Sequence, residues 1–290
     1  MKQLYLLFQK NKRLRAWLLF FSLCFLFILG WYLSLRFGAV AYSNAQLMSV
    51  FRHPLTDSNL QDVIFDLRLP RTIAAILVGA AMAQAGSIIQ GVTRNPIADP
   101  GLLGINAGAG LALIVGYAIF GSMHYSLILI TCLFGAILAA ILVFGIAYHP
   151  RKGYQQLRLI LAGAMISTLF SSLGQAITLY FDLSKAVIGW QSGGLAQINW
   201  KMLGIIAPFI ILGLLLAQLF ARQLTILSLD ETVAKALGQR TFAMTMTFLA
   251  IVVILSAAPW LLLAALHLSG LSFLILSKCL WRKIIGLSFL

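Results

Sequence analysis

The sequence predicts an all-α membrane protein, a polytopic helical bundle of about seven or eight transmembrane helices, and three observations carry that prediction. The 290-residue chain is 61% hydrophobic and only 10% charged, which is more apolar surface than one soluble core can bury. Apolar runs of about 20 residues, the length a helix needs to cross a hydrocarbon core of about 30 Å, recur along nearly its whole length. The charged residues gather between those runs. Helices follow rather than barrel strands, because backbone groups in lipid must be paired within their own segment and the runs exceed strand length.

The runs lie at 16–35, 72–89, 101–120, 126–147, 159–181, 202–220 and 242–258, with a further one at 261–277. The first follows Lys2, Lys10, Lys12, Arg13 and Arg15 and so resembles a signal peptide. It is longer than a signal core and no small-x-small cleavage site follows, so it reads as a retained helix. With the N-terminus inside, the inner loops hold those five charges, then Arg94, Arg151, Lys152, Arg158, Arg222, Lys235 and Arg240. The outer loops hold fewer: Arg36, Arg52, Arg68, Arg71, Lys185 and Lys201. That asymmetry predicts a cytoplasmic N-terminus. Three connections are long enough to act, 36–71 and 182–201 outside and 221–241 inside.

The residue inventory excludes several functions. The net charge of +14 comes from 21 Lys and Arg scattered over short loops, a topology signal rather than a basic stripe for nucleic acid. Cys24, Cys132 and Cys279 are isolated, without the spacing of a disulfide framework or metal site. The seven carboxylates, Asp57, Asp62, Asp66, Asp99, Asp182, Asp230 and Glu231, fall in loops or at helix ends. Proton relays and intramembrane acid catalysis need an acid at membrane depth, and none is predicted there. His53, His124 and His149 lie in or beside loops, and His267 stands alone. No metal site, catalytic constellation or bound cofactor is expected. No GxxxxGK[ST] loop occurs either, so any ATP-derived energy must come from a partner.

Four stretches carry more information. Residues 68–72, RLPRT, place Arg68 and Arg71 around a proline at the expected start of a helix; they read either as interfacial snorkelling or as a docking point for acidic residues outside. Gly104, Gly108, Ala112 and Gly116 recur every four residues, a small-residue face that lets another helix approach closely. Between 72–89 and 101–120, Arg94, Asn95, Pro96, Asp99 and Pro100 form a rigid, irregular turn. Residues 227–238, LSLDETVAKALG, predict a short amphipathic helix with Asp230 and Glu231 in its first turn, Lys235 at i+4 from Glu231, and Gly238 to end it. That helix is either interfacial or a knob for a soluble partner.

RLPRT, the run GAAMAQAGSIIQGVTRNPIADPGLLGINAGAG and LSLDETVAKALG together resemble the permease subunits of iron-siderophore, haem and cobalamin ABC importers, over roughly residues 16–250. The resemblance implies a dimer of all-helical subunits, of identical or paralogous chains, in the bacterial inner membrane with a path between them. Its ATPase partners would carry ATP and magnesium below, and a substrate-binding protein would dock outside. It assigns Asp230, Glu231, Lys235 and Gly238 to the ATPase contact, and Arg68 and Arg71 to the binding protein. Ser167, Ser171, Ser172 and Gln175 would line the path, although interhelical hydrogen bonds explain them equally well. Ferric siderophores are the expected cargo, with haem and cobalamin as alternatives.

The family pattern has ten helices and a glycine-rich segment after the coupling element. Neither is legible beyond about Ser256, where the chain reads SAAPWLLLAALHLSGLSFLILSKCLWRKIIGLSFL. The expected organisation is therefore a permease domain over 1–258 and an atypical tail over 259–290. A truncated, transport-inactive permease or membrane scaffold is the competing expectation.

Overall fold

The computed structural model describes residues 12–38, 40–52, 59–149, 153–154, 156–193, 198–229 and 231–262. Most of the expected segment 261–277, the tail from residue 263 and Asp230 lie outside them. Contacts divide the chain into an N-terminal unit ending at Thr72 and a larger unit starting at Ile73.

The N-terminal unit opens with α1 (Lys12–Arg36), followed by α2 (Asn44–Arg52), α3 (Asn59–Asp62) and a π turn at Val63–Arg68. The helix α4 (Leu69–Thr93) follows directly. Leu47, Val50 and Ile64 form a small buried cluster here. Only 6% of α1's apolar window is buried, and Trp17, Phe20, Phe21 and Phe25 are exposed. Such a helix finds its apolar surroundings in lipid, not in the protein.

Two expectations for this region are corrected. The stretch 36–71 is largely helical, and the helix expected to start after Pro70 belongs to one apolar helical span, Asn59–Thr93. The π turn explains how: it widens the backbone just ahead of Pro70, where the proline ring would otherwise press on the preceding turn.

The larger unit contains α5 (Ile105–Phe120), preceded by a 3-10 turn at Pro100–Leu103, then α6 (Tyr125–Ala147). A two-residue antiparallel pairing, Tyr148–His149 with Gly153–Tyr154, leads to α7 (Gln156–Tyr180). Then come α8 (Ser184–Gly193), α9 (Trp200–Leu219), α10 (Ala221–Leu227), α11 (Glu231–Ala236) and α12 (Thr241–Leu262). Among the described residues, seven long helices coincide with the apolar runs from 16–35 to 242–258, and five spans are long and apolar enough to cross a membrane. Local chemistry sets their ends. Gly104 and Gly121 take positive φ at either end of α5, which glycine does without a side-chain penalty. Asn199 caps α9 by accepting a hydrogen bond from the Met202 amide at 2.9 Å.

The expected helix over 227–238 is also corrected. Leu227 ends α10, and a separate short helix, α11, begins at Glu231. Gly238 performs its expected role: at φ +77 it closes α11, with its own amide donating to the Lys235 carbonyl and the Gln239 amide to that of Ala234. This is the two-bond pattern that satisfies the last carbonyls of a helix.

Packing in the larger unit puts small residues inside and large ones outside. On α6, Cys132, Ala136, Ala139 and Val143 are fully buried, while Ile130, Phe134, Ile137 and Ile141 are exposed. That arrangement suits lipid, where close backbone approach rather than hydrophobic exclusion holds helices together. The tightest approach joins α5 to α6. A Cβ on Gly108 would strike the Gly135 carbonyl oxygen and the Ala139 methyl, and one on Gly135 would strike the Gly108 carbonyl oxygen and the Ala112 methyl. Gly145, on the same helix as Gly135, has open space instead. Overpacking of this kind costs about 1–3 kcal/mol. Gly108→Ala and Gly135→Ala are therefore expected to lower the unfolding temperature of the detergent-purified protein clearly below that of Gly145→Ala; equal temperatures for all three would refute the close-contact account.

Candidate functional site

Gly108 and Gly116 of the small-residue face meet α6 or the turn before it, whereas Gly104 packs on Ile166 and Ser167 of α7. Between α5 and α7 lies a cavity of about 840 Å³. The α5 wall offers Asn106, Gly110, Leu111 and Ile114. The α7 wall offers Ser167, Ser171 and Gln175, which repeat at i, i+4 and i+8 and so fall on one helical face. Thr168 and Thr178 join them, each donating its hydroxyl to its own helix, to the carbonyls of Ala164 and Gly174. Val187 of α8 lies at one end, Asp99 and Gly101 at the other.

Three of the four residues expected to line a path are thus brought together on the cavity wall, and Ser172 is not among its lining. The reason is helical phase: one residue beyond Ser171 is about 100° around the helix, pointing elsewhere. Sequence reading missed Asn106. Its signal was available, since it is an amide within an otherwise strongly apolar helix.

The turn at the Asp99 end is built residue by residue from the motif. Arg94 follows α4 in the left-handed region at φ +52. The Asn95 side chain accepts from the Ile97 amide at 3.0 Å, and the Asn95 carbonyl from the Ala98 amide at 3.1 Å, making an Asx-type turn around Pro96. Asp99 then caps the 3-10 turn, accepting from the Gly101 amide at 2.7 Å, with Pro100 in the first position, where no amide is needed. Partial burial pushes the Asp99 carboxyl above its ordinary value of 3.8, and the Gly101 hydrogen bond pulls the other way without overcoming it.

Arg94 also reaches across the chain. Its Nε donates to the Leu227 carbonyl at 3.2 Å, at the C-terminal end of α10 where the helix dipole favours a cation. Nearby, Gly91 sits so close to Leu224 that an added Cβ would stand 2.8 Å from its Cδ1. On the far side of α11, Gln239 donates to the Gln223 carbonyl at 2.8 Å. The two motifs that the sequence singled out separately, 94–101 and 227–238, are therefore one connected surface. On it Leu229, Val233 and Leu237 are exposed, with Val233 and Leu237 one turn apart, and Ala234 is buried beneath.

The expected outer arginines behave differently from each other. The Arg68 guanidinium turns onto its own unit: it donates to the Leu35 carbonyl at 2.6 Å and to the Val40 carbonyl, and lies 4.6 Å from the centre of the Tyr42 ring. It fixes the turn after α1. Arg71 is half-buried at the start of α4. No group of three or more potential metal-ligating side chains occurs among the described residues.

The fold and the site together define a polytopic helical membrane protein with an open cavity of mixed polarity, one end of which is tied through Arg94 to α10. The chain belongs to the FecCD transport family, whose model matches residues 26–285. That match runs beyond the resemblance read over 16–250 and into the segment set aside as a tail. The chain is 36% identical over 237 residues to the iron(3+)-hydroxamate import system permease protein FhuB of Bacillus subtilis (strain 168), covering 82% of this chain and 62% of that protein. It is 32% identical over 271 residues to the Fe(3+)-citrate import system permease protein YfmD of the same organism, covering 93% and 78%. A solved structure of a metal-chelate type ABC transporter in an inward-facing conformation matches with a TM-score of 0.72 at 28% identity, covering 90% of this chain and 79% of that one.

Two predictions follow from the turn. Removing the Arg94 tie by Arg94→Ala should speed amide hydrogen exchange in both 94–104 and 225–232 while leaving α6 unchanged; a change confined to the first segment would show that the tie carries nothing. For Asp99, the raised carboxyl pKa means that ionisation is disfavoured in the fold, so its contribution is most favourable below pH 3.8 and is lost as pH rises through the folded value. At neutral pH, Asp99→Asn should match or exceed the wild type in thermal stability, and Asp99→Ala should fall below Asp99→Asn by about 1 kcal/mol, the usual worth of a cap.

Proposed function

We propose that this chain is the membrane-spanning permease subunit of a binding-protein-dependent ABC importer that brings ferric siderophores across the bacterial cytoplasmic membrane. The observation that carries the reading is the open cavity between α5 and α7, whose mixed apolar and polar wall reaches at one end the 94–101 turn that is hydrogen-bonded to α10. Family membership and the iron-chelate import named for its relatives agree with it. Haem and cobalamin are the alternative cargoes.

In this reading the N-terminus and the 94–101 and 221–241 connections are cytoplasmic. The exposed side chains of Val233 on α11 and of Leu237 just after it form the apolar tip of a knob that fits a cleft in the ATPase. Asp230, Glu231 and Lys235 are assigned to the same ATPase contact, and Gly238 supplies the sharp exit. ATP and magnesium act on that partner, and movement of α11 reaches the cavity mouth through α10, Arg94 and the 94–101 turn. Outside, Arg71 orients the substrate-binding protein by charge, which sets approach and register more than affinity. A second permease copy or paralogue completes the path. No nucleic acid is involved.

The test is uptake of a radiolabelled ferric siderophore in cells lacking their own permease and supplied with this chain, its ATPase and its binding protein. Wild type should restore uptake, and Glu231→Arg should abolish it while membrane levels on immunoblots stay constant. Uptake unaffected by Glu231→Arg would remove 227–238 from the coupling role; no uptake by stably inserted wild type would remove the importer reading.

A further inference from the structure

The joint between α4 and α10 holds buried polar groups that no hydrogen bond satisfies. Gln90, in the last turn of α4, is 3% exposed, and neither its side-chain oxygen nor its nitrogen has a hydrogen-bond partner. Its polar neighbours on the same helix are engaged locally: Thr93 donates to the Ile89 carbonyl at 2.7 Å and Ser87 to the Gln84 carbonyl at 2.9 Å. Across the joint, the side-chain oxygen of Gln223 on α10 is also buried and without a donor. Buried polar groups are nearly always paired, so an orphaned donor and an orphaned acceptor at one joint call for a physical reason.

Their position supplies one. Gln90 and Gln223 each immediately precede one member of the Gly91–Leu224 contact. Each therefore lies about 100° around its helix from the line of approach, and the two amides miss each other. The contact itself sets a glycine against the tip of an apolar side chain, which holds α10 at no particular angle. Both glutamine groups are buried within this chain, so a partner subunit cannot reach them unless the helices move. A roll of α10 on Gly91 toward Gln223 would bring the Gln90 nitrogen, a donor, to the Gln223 oxygen, an acceptor. The state described lacks that bond and carries the cost of two desolvated, unpaired groups, which a state that forms the bond is spared.

We propose that Gln90 and Gln223 form a two-position latch in the coupling path, unpaired in the state described and hydrogen-bonded to each other in the second state of the transport cycle, reached when α11 moves α10. Neither residue lines the α5–α7 cavity, so both are positioning residues and not contacts for cargo. The proposal rests on the importer reading and names the residues through which α10 acts on α4.

The test replaces each glutamine by methionine, which keeps the length of the side chain and removes the amide. Purified without nucleotide, Gln90→Met is expected to melt about 2–4 °C above wild type, because the unpaired amide is gone. The assembled transporter, with its ATPase and binding protein, is then supplied with radioiron as ferrichrome and, separately, as ferric citrate. Iron taken up per ATP hydrolysed should fall about tenfold in Gln90→Met while hydrolysis continues, a split that a merely structural defect does not produce. Gln223→Met should act in the same direction, and the double variant should lose no more than Gln90→Met alone, since both substitutions remove one bond. Gln90→Leu carries the same test if the methionine variant fails to insert. A Gln90→Met protein that melts below wild type, an unchanged ratio of uptake to hydrolysis, or losses that multiply in the double variant would each overturn the latch while leaving the importer reading intact. No uptake of either chelate by inserted wild type would overturn the importer reading and the latch's place in its cycle with it.

Discussion

The backbone contact between Gly108 and Gly135 is the constraint on which the larger unit depends. Each glycine's missing side chain is the space that the other's carbonyl occupies. Lipid gives helices no hydrophobic reason to associate, so dispersion at this distance and weak Cα–H to carbonyl contacts supply the attraction. The contact also fixes the rotation of α5 about its axis. With the Gly108 and Ala112 side against α6, Asn106, Gly110 and Ile114 are turned toward α7, and a cavity opens where the two walls are polar and small. One glycine pair therefore decides both that the helices pack and which face is left to form the cavity.

At one end of the cavity, structure and mechanics are hard to separate. The 94–101 turn is stiff because every unusual residue in it has a local job: a left-handed Arg94, an Asx turn at Asn95, and a cap at Asp99. A stiff turn transmits displacement instead of absorbing it. Arg94 joins it to the last carbonyl of α10, and the Gly91–Leu224 approach places the end of α4 on the same helix. The break between α10 and α11 is part of this, since a single continuous helix over 227–238 would leave no free terminal carbonyl at Leu227 for Arg94 to hold.

Much of the fold was legible because hydropathy in a membrane protein reports length directly, and the seven firm runs became seven helices with ends displaced by a few residues. The misses share a cause: each depended on something a single run of residues does not encode. Pro70 was read as a helix boundary because a proline ring clashes with a regular α turn, and the π turn that relieves the clash leaves no mark in composition. The hydrogen bonds of Arg68 were not legible either, because the carbonyls of Leu35 and Val40 come from a turn some thirty residues earlier. Ser171 and Ser172 are adjacent and chemically identical, and only the helical phase relative to α5 tells them apart. The link between 94–101 and 227–238 joins motifs that were each visible, across a separation that periodicity cannot bridge.

Charge distribution ties these threads together. Cations in a membrane protein serve topology, and topology requires them only at the ends of helices. Here the wall residues that face the cavity are those that cost least to leave half-dehydrated: hydroxyls that can back-bond to their own helix, as Thr168 and Thr178 do, and amides that carry no net charge. The exception, Asp99, sits where the backbone already supplies a donor through the Gly101 amide. Its ionised form is nonetheless disfavoured by burial, against the pull of that hydrogen bond.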